Sequence, residues 1–158
     1  SAGIVEPYGN IAEVKNDELE TLINLNVNGA ILGSREAVKR MSTKYDGEGG
    51  SIVLLSSVSS RLGSPGACVP YAASKGAVDA LGWGLAQEVA REGVRVNVVS
   101  PGLIDTEIQP EGRVEEHGPS LPAGRAGRPE EVAAAILWLL SDQASYVSGS
   151  NLMVSYAR

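Results

Sequence analysis

Three observations predict an α/β fold built as a doubly wound parallel sheet. Segments with helical periodicity alternate with short strands, in the order helix, strand, helix, strand, helix, strand. The strand at Ser51–Ser57 is a continuous apolar run, which suits a strand buried on both faces. Successive strands are separated by helical stretches, so the connections are right-handed crossovers that cover both faces of the sheet.

The chain opens on Ser1-Ala2-Gly3-Ile4, which reads as a strand end entering a turn, and Pro7, Gly9 and Asn10 mark a loop. The first long helix, about 17 to 43, starts at Asn16 or Asp17, with Glu18 and Glu20 in its first turn. Leu19, Leu22, Ile23, Val27, Ala30, Ile31, Ala37, Val38 and Met41 form its apolar stripe. Asn26 falls on or beside that stripe. A polar amide there either bonds nearby backbone, marks a helix distortion, or has a function.

Gly49 and Gly50 lead into the first strand, which ends at Ser56-Ser57. Open α/β sheets hold their ligands at the carboxyl ends of strands, so Ser57 is either a site residue or polar punctuation. A loop rich in Gly and Pro returns the chain to the second long helix, about 71 to 92, which closes at Gly93. Its small residues, among them Ala80, Gly82 and Gly84, permit close packing. Val94, Val96, Val98 and Val99 form the next strand, closed by Ser100-Pro101-Gly102. The polar segment from about 105 to 127 is long enough to be a lid or binding loop. Pro129 opens the last helix at its first position, and a final strand runs from about Asn151 to Val154.

Composition excludes several classes. The 158 residues suffice for one core, and the net charge of −6 argues against a nucleic-acid partner. No apolar run approaches a membrane span. Cys68 is the single cysteine, which rules out an internal disulfide and suits a reducing, cytoplasmic setting. Cys68 reads as a buried bystander. One histidine, His117, does not make a metal site.

The chemistry concentrates at Tyr71-Ala72-Ala73-Ser74-Lys75. Residues four apart share a helix face, so the ammonium of Lys75 sits one turn from the phenol of Tyr71. A neighbouring cation favours the phenolate and brings a group with a pKa near 10 closer to acid–base work.

The ordered set of motifs resembles the C-terminal three-fifths of the short-chain dehydrogenase/reductase family, which has a Rossmann-like fold. The carriers are Ser1-Ala2-Gly3, Asn26-Val27-Asn28-Gly29, Ser56-Ser57, Tyr71-x-x-x-Lys75, Asn97 through Gly102 with Thr106, Gly124-Arg125 through Ala133, and Tyr146 through Gly149. The ketoacyl-carrier-protein reductase and glucose dehydrogenase branches are the most similar.

The resemblance implies hydride transfer between NAD(H) or NADP(H) and a carbonyl or secondary alcohol. It makes Tyr71 the general acid or base. Lys75 lowers the phenol pKa and holds the nicotinamide ribose. Ser57 bonds the substrate oxygen, and Asn26 holds a proton-relay water. Gly3, Pro101, Gly102, Ile104 and Thr106 join Tyr71 and Lys75 as cofactor contacts. A homotetramer or dimer is implied, formed through the two long helices.

Three departures accompany the resemblance. The Gly-rich phosphate-binding half is missing from this chain, so a longer parent polypeptide is expected to supply it. Ser57 precedes Tyr71 by one position more than is usual. The end reads Val154-Ser155-Tyr156-Ala157-Arg158 in place of an Asp-Gly-Gly tail. Two other readings stay open: a non-catalytic piece offering an oligomer interface and an incomplete cofactor site, and an epimerase or dehydratase using the same Tyr-Lys pair.

Overall fold

The computed structural model describes residues 3–158. Ser1 and Ala2, the start of the expected opening turn, lie outside the described residues. The first long helix is one rod in three parts: α1 (Asn16–Ile23), a π-helical turn (Asn24–Asn28) and α2 (Gly29–Met41). After it come β1 (Gly50–Leu55), a short α3 (Ser59–Leu62), α4 (Val69–Glu88) and β2 (Val94–Pro101). Then follow a short α5 (Arg113–His117), α6 (Pro129–Leu140) and β3 (Asn151–Val154).

The three strands pair in parallel in the order β1-β2-β3. Ile52 pairs with Val96 and Leu54 with Val98 on one side of β2, and Val98 pairs with Asn151 on the other. The pleat sends alternate residues to opposite faces. Ile52, Leu54, Val94, Val96 and Val98 pack with Val78, Ala86 and Val89 and with Ala37, Val38 and Met41, so α2 and α4 cover one face. Val53, Leu55 and Val99 pack with Val132, Ile136 and Leu139, so α6 covers the other. The doubly wound arrangement thus follows from apolar residues on both sides of β1 and β2.

Two close approaches fix the layers. A Cβ at Gly82 would run into Val98 Cγ2, so α4 lies directly on β2 only because residue 82 has no side chain. The side chain of Arg95 reaches the end of α6. It donates to the carbonyls of Leu139 (2.9 Å), Ser141 (3.1 Å) and Val147 (3.2 Å). A guanidinium there satisfies orphan carbonyls at a helix C-terminus.

The segment after β2 departs from the expectation of an irregular loop. It contains α5 and a 3₁₀ turn at Gly118–Ser120, which pair backbone groups that would otherwise be orphaned. Its two ends are zipped together. Asp105 N–H donates to Gly127 O (2.9 Å) and Gly127 N–H donates to Leu103 O (2.9 Å), making a short parallel bridge at Ile104 and Gly127. The second long helix also differs from the expected 71 to 92. It starts two residues earlier with Pro70 in its first turn, and its last turn is a 3₁₀ turn at Ala90–Glu92. Among the described residues no helix is long and apolar enough to cross a membrane.

Candidate active site

The carboxyl ends of β1 and β2 open into a cleft of about 420 Å3. Gly3, Ser57, Tyr71, Lys75, Pro101, Gly102, Ile104 and Thr106 all line it. These eight come from four separate parts of the sequence. The sheet brings them together because parallel strands present all their carboxyl ends on one edge. Val132 and Ile136 of α6 add an apolar wall. Their helical spacing marks them as core, which hides the fact that the same face continues into the cleft. Gln109 also lines the cleft, from a loop whose sequence carries no periodic signal.

Lys75 is buried, and its Nζ donates to the carbonyl of Leu55 at 3.0 Å. An ammonium has three donors. One is committed to the last residue of β1, and no other hydrogen bond of Nζ is formed among the described residues. Burial pushes its pKa down, and Asp79, one turn further along α4, pulls it partly back. Asp79 in turn accepts from Asn151 Nδ2 (2.9 Å), which ties α4 to β3.

Tyr71 corrects one expectation. The phenol pKa is raised, not lowered. Burial is the dominant cause, and the neighbouring Ser57 hydroxyl offsets only part of it. The Lys75 ammonium lies over the Tyr71 ring, 5.6 Å from its centroid. Desolvation of the phenolate outweighs the hydrogen bond from Ser57.

Ser57 is buried at the mouth of β1, with its Oγ accepting from Ser59 N–H at 3.1 Å. That bond leaves the hydroxyl proton to the neighbouring Tyr71 phenol. Ser56 turns inward and donates to Lys75 O (3.0 Å), locking strand end to helix.

Asn26 sits behind the cleft and does not line it. It is 4% exposed and lies within the π turn. Its Oδ1 accepts from Ile4 N–H (3.0 Å), and its Nδ2 donates to Ile4 O (2.8 Å) and Ser74 Oγ (3.1 Å). Both readings of this residue as a backbone partner and as a distortion hold. A single amide clamps the entering segment to α4, and the π bulge aims it there. A Cβ on Gly3 would lie 3.4 Å from Asn26 Oδ1 and 4.0 Å from Lys75 Nζ, so the entering backbone passes directly over both.

Cys68 is buried and free. Thr106 is held loosely, its Oγ1 3.5 Å from Ile104 O. The changed chain end, Val154 to Arg158, still meets the site's floor, because a Cβ on Gly102 would lie 3.0 Å from Ser155 Cβ.

A doubly wound sheet with a serine, a tyrosine and a lysine converging at its carboxyl edge defines a class of nucleotide-dependent enzyme fold. The chain belongs to the short-chain dehydrogenase/reductase family. A family model described as enoyl-(acyl carrier protein) reductase matches residues 1–156. The uncharacterized oxidoreductase YgfF of Escherichia coli (strain K12) is 51% identical over 154 residues, covering 95% of this chain and 62% of that protein. A glucose and ribitol dehydrogenase homolog of Oryza sativa subsp. japonica is 40% identical over 152 residues, covering 92% of this chain and 50% of the other. The solved structure of ElxO with NADP bound is similar at a TM-score of 0.89 and 29% identity, over 99% of this chain and 64% of that one. The chain thus spans between half and two-thirds of the length of these relatives.

Proposed function

We propose that this chain is the C-terminal, catalytic portion of a single-domain oxidoreductase that interconverts a carbonyl compound and a secondary alcohol with NAD(H) or NADP(H). The observation that carries this reading is the meeting of Ser57, Tyr71 and Lys75 in one cleft at the strand ends.

The cleft fits a nicotinamide nucleoside on its own chemistry. A buried ammonium with unspent donors suits ribose hydroxyls, and an apolar wall of Ile104, Val132 and Ile136 suits the flat ring. Lys75 would hold the ribose, and Gly3, Pro101, Gly102, Ile104 and Thr106 would border the nicotinamide. When bound, that cofactor gives or takes the hydride at the substrate carbon.

The protein's part is the proton. In reduction, the Tyr71 phenol gives its proton to the carbonyl oxygen as the carbon–oxygen double bond becomes an alcohol. Ser57 donates a hydrogen bond to the same oxygen and stabilises its developing charge. The raised pKa of Tyr71 keeps the phenol protonated at neutral pH, which suits the acid role. In oxidation the phenolate is the base, and it becomes available as pH rises. Both Nδ2 protons of Asn26 are in use, so a relay toward Lys75 is left with its oxygen atoms. The segment from 105 to 127, closed at its neck, acts as the lid over the substrate.

Exposed Ala73, Ala80, Trp83 and Gly84 on α4, with Ile31 and Leu32 on α2, support a dimer or tetramer of the parent protein through these helices.

Titration of the full-length protein with NADH and NADPH, followed by nicotinamide fluorescence, tests the reading. Saturable binding that weakens at least about tenfold in Lys75→Ala is expected, since a charge-assisted hydrogen bond to the cofactor is lost. Binding that Lys75→Ala leaves unchanged would overturn the assignment.

A further inference from the structure

The cleft is not the whole site. A second chamber of about 320 Å3 adjoins it, and the two share Ser57, Tyr71, Gly102, Ile108 and Gln109. Tyr71 and Ser57 therefore stand between two spaces. One contains Lys75. The other is bounded by Val58, Leu62, Cys68 and Leu103, and this second space has its own charge character.

The chain has 19 acidic and 13 basic side chains, yet among the described residues no Asp or Glu lines the second chamber. Its charged lining residues among those described are Arg113 and Arg158. Arg113 is half-buried at the start of α5. The ion pairs among the described residues lie elsewhere: Arg125 and Arg128 with Glu131, Arg35, Lys39 and Arg40 with Glu36, and Lys15 with Glu18. Arg113 has neither a carboxylate partner nor a side-chain hydrogen bond among the described residues. Its field still reaches Tyr8, whose phenol it pulls down against the effect of burial.

With no protein partner among the described residues, the Arg113 guanidinium is free to pair with an anion that enters the chamber. It presents a rigid fork of donors that matches a carboxylate bidentately. We propose that the second chamber receives the substrate, and that Arg113 selects a carbonyl compound carrying a carboxylate. The apolar walls hold the carbon chain, the ketone oxygen reaches Ser57 and Tyr71, and the carboxylate end lies at Arg113. This assignment rests on the oxidoreductase reading for the ketone end. The carboxylate end is measurable by binding alone.

The test uses the full-length protein and calorimetric titration with 4-oxopentanoate, 5-oxohexanoate and their methyl esters, with NAD+ or NADP+ present. The two acids differ in the spacing between ketone and charge. At least one acid should bind about tenfold or more tighter than its ester, the size of effect a charge-assisted pair supplies. Arg113→Gln should abolish that preference while ester affinity stays within about twofold, and Arg113→Lys should keep part of it. Acids that bind no tighter than esters, or a preference that survives Arg113→Gln, would overturn the proposal. Turnover measured in parallel separates the two readings. An acid preference in binding without reduction of any ketone would contradict the role of Tyr71 and leave Arg113 standing. Reduction of acid and ester with equal efficiency would do the reverse.

Discussion

At the scale of single residues, the site works by committing some hydrogen bonds and withholding others. Lys75 spends one donor on Leu55 O and makes no other side-chain hydrogen bond among the described residues. Ser57 accepts from Ser59 N–H and turns its proton to the Tyr71 phenol. Asn26 withholds little, since its three bonds fix Ile4 and Ser74. Removing that amide leaves the backbone N–H and C=O of Ile4 without their partner. Asn26→Ala should therefore destabilise the protein by roughly 1–3 kcal/mol, read as a lower midpoint in urea denaturation of the full-length protein. A midpoint unchanged from the parent would mean that the clamp carries no weight. The motif at Asn26 was legible in sequence as a polar residue out of place. Its three partners were not, because Ile4 and Ser74 are brought to it only by the fold. Tyr71 shows the opposite limit. Spacing alone gave a cation one turn away and hence a lowered pKa. Burial, which spacing does not reveal, reverses the direction.

At the scale of elements, helical and strand periodicity located the long helices and the strands to within a few residues. The failures came where local bonding overrides pattern. The π turn at Asn24–Asn28 shares the apolar stripe of α1 and α2, so periodicity passes straight through it. The excursion after β2 has too many Gly and Pro for a helix signal, yet α5 forms within it. Small residues on α4 were legible as a packing face, but their partners divide. Gly82 abuts Val98, whereas a Cβ at Gly76 or Gly84 meets nothing. A methyl group at position 82 must displace β2 or the helix, so Gly82→Ala should cost about 1–3 kcal/mol. Gly76→Ala serves as the control and should be neutral or slightly stabilising in the same thermal denaturation. Equal effects at the two positions would contradict the packing described. At the start of α6, Arg125 and Arg128 converge on Glu131, whose carboxyl is held at about 2. That brace joins the neck of the excursion to the helix whose other residues wall the cleft.

At the scale of the whole molecule, the doubly wound sheet explains why residues so far apart in sequence form one site. β1 delivers Ser57, the start of α4 delivers Tyr71 and Lys75, and β2 delivers Pro101 and Gly102, all at one edge. The alternation of elements made that edge legible before any coordinates, and the order of the motifs made the family legible. The second chamber was not, because Arg113, Cys68 and Leu103 share no motif and meet only in three dimensions. We propose that Tyr71 passes the proton where the two chambers meet. Single-turnover reduction of a ketone by the full-length protein, with bound NADH or NADPH, tests it most directly. Tyr71→Phe removes one hydroxyl and keeps the ring, so cofactor affinity should stay within about twofold while the rate falls by roughly 10²–10⁴. A Tyr71→Phe protein that binds cofactor and reduces the ketone at the parental rate would contradict the account.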